Sequence, residues 1–447
     1  MVKFADRERE LAALTRACGD DGGLAVVSGR RRVGKTALLD RFAADRRSVF
    51  LPGTRAPVGE ALRRLEERIR EACPPEPGDA LDLGHLSSWD AALGYLLARA
   101  RDEPLLVVLD EFPYLCEADP SLPSTLQARW DHRGDSRLSL VLSGSHVGLM
   151  EQLVAAEAPL FGRADAHLRL PPFDWRAAGL LVGGDDPERW LEAVVTVGCM
   201  PRYLSLWDPR HEALTNLVEL LDGPGAPLGD EGVVVQQELA PTSAAARLLE
   251  LIALGTDAFG ALRETAGLAP ASTAKALDQL VELGLVERHT PAGEDPRRTR
   301  RVRYRIRDPL LRLWLAVVAP HREAFELGRG ADVLAAHRDR IGAAQQAALA
   351  GVARDWLAAA HGAEVGPWWP ATGHAGGVDA LALRGGAPVA AAQAVWAGGL
   401  DADALRHRAR DALAASRHGQ PPAVEIVARH GPGVTTPGDL YADAGAA

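Results

Sequence analysis

Leu24-Ala25-Val26-Val27-Ser28-Gly29-Arg30-Arg31-Arg32-Val33-Gly34-Lys35-Thr36-Ala37-Leu38-Leu39 is the stretch whose reading decides the fold. A short apolar run with β-branched residues leads into Gly-x-x-x-x-Gly-Lys-Thr, and helix-like spacing follows, so the order is strand, loop, helix. Glycines in such a loop let backbone N–H groups curl around phosphate oxygens, and the helix N-terminus adds a favourable dipole. The expected cradle is Gly29, Arg30, Arg31, Arg32, Val33, Gly34, Lys35, Thr36 and Ala37. Lys35 would reach the β- and γ-phosphates of ATP as a compact point charge, and the Thr36 hydroxyl would ligate Mg²⁺. Of 50 basic residues only three are lysines, Lys3, Lys35 and Lys275. The wide guanidinium fork suits bidentate pairing rather than insertion into a tight loop, so a lysine kept at position 35 supports the assignment.

A phosphate-binding loop calls for a second acidic strand end, and Leu105-Leu106-Val107-Val108-Leu109-Asp110-Glu111-Phe112 supplies it. An all-apolar run of this kind fits a central parallel strand buried on both faces. Asp110 is placed to join the Mg²⁺ shell and Glu111 to polarise an attacking water as general base. A third run, Leu138-Ser139-Leu140-Val141-Leu142, ends in Ser143-Gly144-Ser145. In a doubly wound parallel sheet its tip lies beside the γ-phosphate, making Ser143 or Ser145 a polar sensor. Which serine points inward is open at this stage. Arg163, in Pro159-Leu160-Phe161-Gly162-Arg163, has two uses. It stabilises transition-state charge, in cis or from a neighbouring subunit of a homo-oligomer, or it forms a structural ion pair.

The bulk numbers bound the rest. A chain of 447 residues is long enough for roughly three domains of about 150 residues. With 47% hydrophobic and 25% charged residues it has ordinary globular composition, not that of a disordered or fibrous chain. The net charge of −10 argues against nonspecific nucleic-acid coating while leaving local patches open. The longest aliphatic runs fall far short of the roughly 20 residues that span a bilayer, so no membrane partner is expected. The charged N-terminus does not support export, which points to the cytoplasm. Cys18, Cys73, Cys116 and Cys199 are scattered without Cys-x-x-Cys spacing, and they read as small buried residues rather than a zinc site or disulfide framework.

Several segments together resemble the archaeal-type ATPase family, part of the AAA-like signal-transduction ATPases with numerous domains. They are Phe4-Ala5-Asp6-Arg7-Glu8-Arg9-Glu10-Leu11, the 29–36 loop, Leu109-Asp110-Glu111-Phe112-Pro113-Tyr114-Leu115, Ser143-Gly144-Ser145, Pro159-Leu160-Phe161-Gly162-Arg163 and Gly198-Cys199-Met200-Pro201-Arg202-Tyr203-Leu204. They fall in the family's order over about the first 205 residues. The resemblance implies that Asp6 and Arg7 lie near the adenine and that Pro201 begins a helical lid touching the base.

Beyond this core, helix-like spacing from Phe173 to Leu221 and the Gly/Pro-rich 222–229 stretch read as a lid and a linker. Ser243 to Leu254, Phe259 to Ala266 and Ser272 to Leu283 read as three short helices. Two strands follow, at Leu285-Val286-Glu287-Arg288 and Arg301-Val302-Arg303-Tyr304-Arg305-Ile306-Arg307, giving a winged-helix pattern. The second strand alternates strictly, with Val302, Tyr304 and Ile306 on one face and arginines on the other. Arg297, Arg298, Arg300, Arg301, Arg303, Arg305 and Arg307 put seven guanidiniums in 11 residues. That footprint suits DNA phosphates. Yet the presumptive recognition helix carries Asp278, Gln279 and Glu282 with only Lys275 as a base. The other use of the Arg face is an intramolecular clamp against the acidic ATPase or lid, leaving an unidentified protein as partner.

From about Ala331 the family resemblance implies a domain related to PD-(D/E)xK nucleases, with a helix from Ile341 to Ala360 and strands around Val378–Leu383 and Pro388–Trp396. Asp379 matches the first metal-binding acid. The second position reads Gln393-Ala394-Val395 where Glu-x-Lys is needed, and no lysine follows Lys275, so nuclease chemistry is not expected. Trp368, Trp369 and Trp396 read as core, Ala402 to Ser416 as a last helix, and Tyr441 to Ala447 as a fraying tail. The expected architecture is therefore an α/β P-loop NTPase core with a doubly wound parallel sheet (1–172), a helical lid and linker (173–229), a winged-helix domain (230–325) and a degenerate nuclease-like α/β domain (326–447). The function this implies is an ATP-hydrolysing molecular switch.

Overall fold

The computed structural model describes residues 7–74, 85–239, 243–371, 377–396, 401–414 and 421–442. The chain divides into two compact units, residues 1–172 and 173–447.

The first unit is built on five parallel strands: β1 (Gly23–Ser28), β2 (Ser48–Pro52), β3 (Leu105–Asp110), β4 (Leu138–Gly144) and β5 (Ala166–Arg169). Their order across the sheet is β2-β3-β4-β1-β5. Every residue of β1, β3 and β4 is buried, as a parallel strand covered by helices on both faces requires. The outer strands β2 and β5 are only partly buried, alternating along their length. The helices Val58–Ala72 and Trp89–Asp102 set Leu62, Leu65, Ile69, Leu93 and Leu96 into one core with Val49, Val107 and Leu140. The register aligns the carboxyl ends: Ser28 pairs with both Gly144 and Arg169, Leu109 with Leu142, and Pro52 with Asp110. In an open parallel sheet this edge, where crossovers leave a crevice, is where ligands sit.

The second unit begins with the helices Trp175–Val182, Pro187–Val197, Pro201–Leu204 and Ala213–Leu221. The Gly/Pro-rich 222–229 stretch interrupts the helices as its composition predicts, but it is tied down: Gly223 N donates to Phe325 O at 2.8 Å, and Asp222 Oδ1 accepts from Gly330 N at 2.7 Å. Helices Ala244–Ala253, Phe259–Ala266 and Pro270–Glu282 precede an antiparallel pair, β6 (Val286–His289) and β7 (Arg303–Ile306). The chain then runs through a one-turn π-helix at Trp314–Val318, where the Trp314 indole donates to Gly229 O at 2.8 Å.

A long helix, Arg338–His361, packs on a mixed sheet ordered β11-β10-β9-β8. Its strands β8 (Glu364–Trp368), β9 (Val378–Arg384) and β10 (Ala387–Val395) form an antiparallel meander. The helix Ala402–Ala414 leads to β11 (Val424–Ala428), parallel to β10. The sequence-expected end of that helix at Ser416 lies outside the described residues. Leu381, Leu383, Ala391, Leu413 and Ile426 make its core.

One expectation is overturned at the C-terminal end. Instead of fraying, Tyr441 and Ala442 close a helix, Pro437–Ala442, while 443–447 lie outside the described residues. Tyr441 is buried, its ring edge-on to Trp175 at 5.0 Å and to Trp190 at 5.2 Å, with its hydroxyl donating to Trp175 O at 3.2 Å. Gly179 has no side chain because a Cβ there would strike the Tyr441 ring. Aromatic burial outweighs the fraying tendency of a terminus. Tyr441→Ala should therefore destabilise the second unit by about 3–5 kcal/mol, read as a lowered thermal midpoint, whereas a freely fraying tail would give no change.

Candidate nucleotide site

The 29–36 loop leaves the carboxyl end of β1, and the helix Lys35–Ala43 starts within it. Gly34 has φ +95° and Arg32 φ +67°, so the loop turns back on itself through two left-handed residues, one of them without glycine's freedom. Gly29 faces Leu170 O so closely that a Cβ would sit 2.8 Å away. Lys35 is 5% exposed, and its ammonium donates to Gly29 O at 2.9 Å and Arg30 O at 3.3 Å, inside the loop's own curve. Thr36 donates to Asp110 Oδ2 at 2.8 Å. The other Asp110 oxygen accepts from Ser143 Oγ and from Glu111 N, the latter at 3.0 Å. Asp110 thus links β3 to β4 and to the helix that follows β1. Its charge, after the larger effect of partial burial, holds the Asp40 carboxyl above the usual carboxylate range.

The two serines left open by the sequence have different partners. Ser143, fully buried, turns to Asp110, while Ser145 donates to Glu111 Oε2 from both its hydroxyl (2.8 Å) and its backbone N–H (3.0 Å). Glu111 Oε1 lies 3.9 Å from the Lys35 ammonium. Glu111 itself sits at φ +48°, a conformation that costs of order 1–3 kcal/mol in a non-glycine residue and persists where surrounding contacts enforce it. One such contact was not singled out in the sequence. Gly53, just past β2, donates to Asp110 O at 2.7 Å, and a Cβ on it would come within 2.5 Å of Glu111 O.

The remaining expected residues fall in distinct places. Arg7 is buried and donates to Pro171 O at 2.7 Å and Val33 O at 3.3 Å, bracing the loop, with Glu10 at 2.8 Å. Asp6 lies outside the described residues. Arg31 reaches the Tyr114 hydroxyl at 2.5 Å. Arg163 forks onto Asp131 with bonds of 2.7 and 2.8 Å, and this pairing holds the Asp131 carboxyl below its usual range. Pro201 opens a short helix in the second unit.

In the second unit the arginine face divides. Arg297, Arg298 and Arg300 are exposed on the loop before β7. Arg301 donates to Trp369 O and pairs with Glu294, Arg303 stacks 4.6 Å from the Trp369 ring centroid, and Arg307 lies 3.4 Å from Glu287. Trp369 is therefore a platform for guanidiniums, while Trp368 and Trp396 are buried as core. Asp379 accepts from Gln393 Nε2 at 2.6 Å and from Ala394 N at 3.1 Å. No cluster of three or more metal-ligating side chains occurs among the described residues. Cys18 and Cys73 are buried, Cys116 and Cys199 partly so, and all four are free. No helix among the described residues is long and apolar enough to cross a membrane.

A five-stranded parallel sheet with this loop, this acidic strand end and this register defines a P-loop NTPase core. Residues 4–181 match a family described as an ATPase domain predominantly from Archaea, so this segment is similar to an ATPase domain. An uncharacterized protein of Methanocaldococcus jannaschii is 25% identical over 333 residues, covering 73% of this chain and 71% of its own. The fold is similar to that of a Walker-type ATPase of Pyrococcus abyssi, with a TM-score of 0.53 and 20% identity over 70% of this chain and 96% of that one. The ORC2 protein of Aeropyrum pernix, solved in ADPNP and ADP complexes, aligns at a TM-score of 0.47 and 15% identity over 75% and 96%.

The Gly53 contact makes a specific prediction. Gly53→Ala should displace the Glu111 backbone and lower ATP turnover about tenfold to a hundredfold, while nucleotide affinity by equilibrium titration changes far less. Equal losses in both would show that Gly53 only supports the fold.

Proposed function

We propose that the first unit binds Mg²⁺-ATP at the carboxyl edge of its sheet and hydrolyses it slowly, and that the chain works as a nucleotide-dependent switch in the cytoplasm. The observation that carries this reading is the linked set Thr36–Asp110–Ser143 beside Lys35–Glu111–Ser145. The donor set fits the ligand: a buried ammonium inside a glycine-framed loop matches phosphate oxygens, and a hydroxyl meeting a carboxylate matches a hard, oxygen-seeking cation. Thr36 and Asp110 would hold Mg²⁺, which when bound neutralises phosphate charge. Lys35 supplies fixed positive charge to the β- and γ-phosphates. Glu111 orients and deprotonates the attacking water, and Ser145 fixes the carboxylate's rotamer. A transition-state role for Arg163 requires release from Asp131, on this chain or across a homo-oligomer. Arg7 supports the loop, and Pro201 of the lid is assigned to the base by resemblance.

Switching needs the ATP and ADP states to differ in what they hold, since a nucleotide bound equally well in both conformations shifts nothing. Ser143 and Ser145 are the groups placed to report the difference, each tied to a carboxylate of the site. Glu111→Gln keeps one side-chain oxygen to accept from Ser145, replaces the oxygen facing Lys35 with an amide NH2, and cannot take a proton. It should retain ATP affinity within about threefold and lose at least about a hundredfold in single-turnover hydrolysis. Normal turnover would assign the base to another residue.

For the second unit we read the three helices with β6 and β7 as a winged helix and the mixed sheet behind it as a nuclease-like fold without nuclease chemistry. Arg301, Arg303 and Arg307 are occupied within their own unit, which favours an internal clamp, directed at the Trp369 side of the mixed sheet instead of the ATPase or lid. Arg305 lines a cavity of its own unit, and DNA contact then rests on Arg297, Arg298 and Arg300. Duplex binding followed by fluorescence anisotropy across a salt series should give a log–log slope of about −3 or shallower. A slope near −6, abolished by neutralising Arg303 and Arg307, would make the whole face a DNA surface and the clamp wrong.

A further inference from the structure

Between β7 and the long Arg338–His361 helix lies a cavity of about 230 Å³ that the nucleotide site does not use. Ile252, Tyr304, Ile306, Ala347 and Ala350 give it apolar walls, and Arg305 and Arg312 project charge into it. Neither guanidinium makes a hydrogen bond or ion pair among the described residues. Two cations sharing a partly buried space are costly unless an anion joins them. The carboxylates on the same wall attract them without a hydrogen bond or ion pair, Asp257 acting on Arg312 and Asp379 on Arg305, because Asp257 lies 3.7 Å from Arg303 and Asp379 accepts from Gln393 and Ala394. A third guanidinium, Arg354, stands behind Asp379, donating to its backbone oxygen at 3.3 Å. Burial first, and repulsion from Arg305 second, make both Arg312 and Arg354 hold their protons less firmly than an ordinary arginine.

We infer that this cavity is a binding site for a small phosphomonoester, its dianionic phosphoryl group held by Arg305 and Arg312 and its body against the Tyr304–Ile306 wall. Forked guanidiniums match phosphate oxygens in pairs, and the volume suits a small molecule rather than a folded nucleic acid. The site is independent of the nucleotide loop. Asp379 lines it as an opposing charge, so its removal strengthens the site.

The test is titration of the full chain with inorganic phosphate and with AMP at constant ionic strength, comparing wild type with Arg305→Met, Arg312→Met and Asp379→Asn. The nucleotide loop contributes equally to all four, so differences report the cavity. Each arginine change should weaken binding about tenfold or more, and Asp379→Asn should tighten it. In phosphate-free buffer Arg312→Met should melt above wild type because a partly buried charge repelled by Arg305 is gone. Equal affinities in all four proteins, or arginine-dependent binding confined to a 5′-phosphorylated oligonucleotide, would overturn the inference.

Discussion

The Asp110 carboxylate sits between two hydroxyls, Thr36 at the start of the helix after β1 and Ser143 at the end of β4, and the ATPase unit is organised around that link. A charge at the end of a buried strand has to be satisfied by groups from neighbouring elements. The register of β3 and β4 and the loop leaving β1 bring both hydroxyls to it. The same alignment places Glu111 one residue further on, against Ser145 and near Lys35. A shift of one residue in any of these strands would turn the polar ends into the core.

Backbone geometry adds to this constraint. Glu111 holds a left-handed conformation because Gly53 leaves room for its carbonyl and Ser145 grips its side chain. On the proposed role of Glu111 as general base, strain of this kind fixes where the carboxylate points before substrate arrives, so less reorganisation is needed during the reaction. Arg7, fixed by backbone carbonyls of Val33 and Pro171, ties the phosphate loop to the chain just after β5.

Much of this was legible in the sequence, and the limits have physical causes. The three fully buried strands announce themselves as unbroken apolar runs, and the loop motif fixes their meaning. The edge strands β2 and β5, and likewise β8, are short and half-buried, so their composition hardly differs from that of loops. The choice between Ser143 and Ser145 depended on register, since adjacent-but-one residues share a face and only the pairing across β3 separates their partners. Gly53 carried no signal because its importance lies in a neighbour 58 positions away that it must not touch. The Arg face was visible as a pattern, but its partner was not: Trp369 belongs to a segment distant in sequence. Tyr441 misled because terminal position suggested fraying while burial between two tryptophans decides otherwise.

The central claim is that nucleotide state is read where Asp110 and Glu111 meet the two serines. Amide hydrogen exchange on the full chain, with no nucleotide, with Mg²⁺-ADP and with a non-hydrolysable Mg²⁺-ATP analogue, tests it directly. The account predicts protection of residues 29–36 by both nucleotides, and a further change at 110–111 and 143–146 only with the triphosphate. No protection of the loop, or identical exchange at those two strand ends in both nucleotide states, would contradict it.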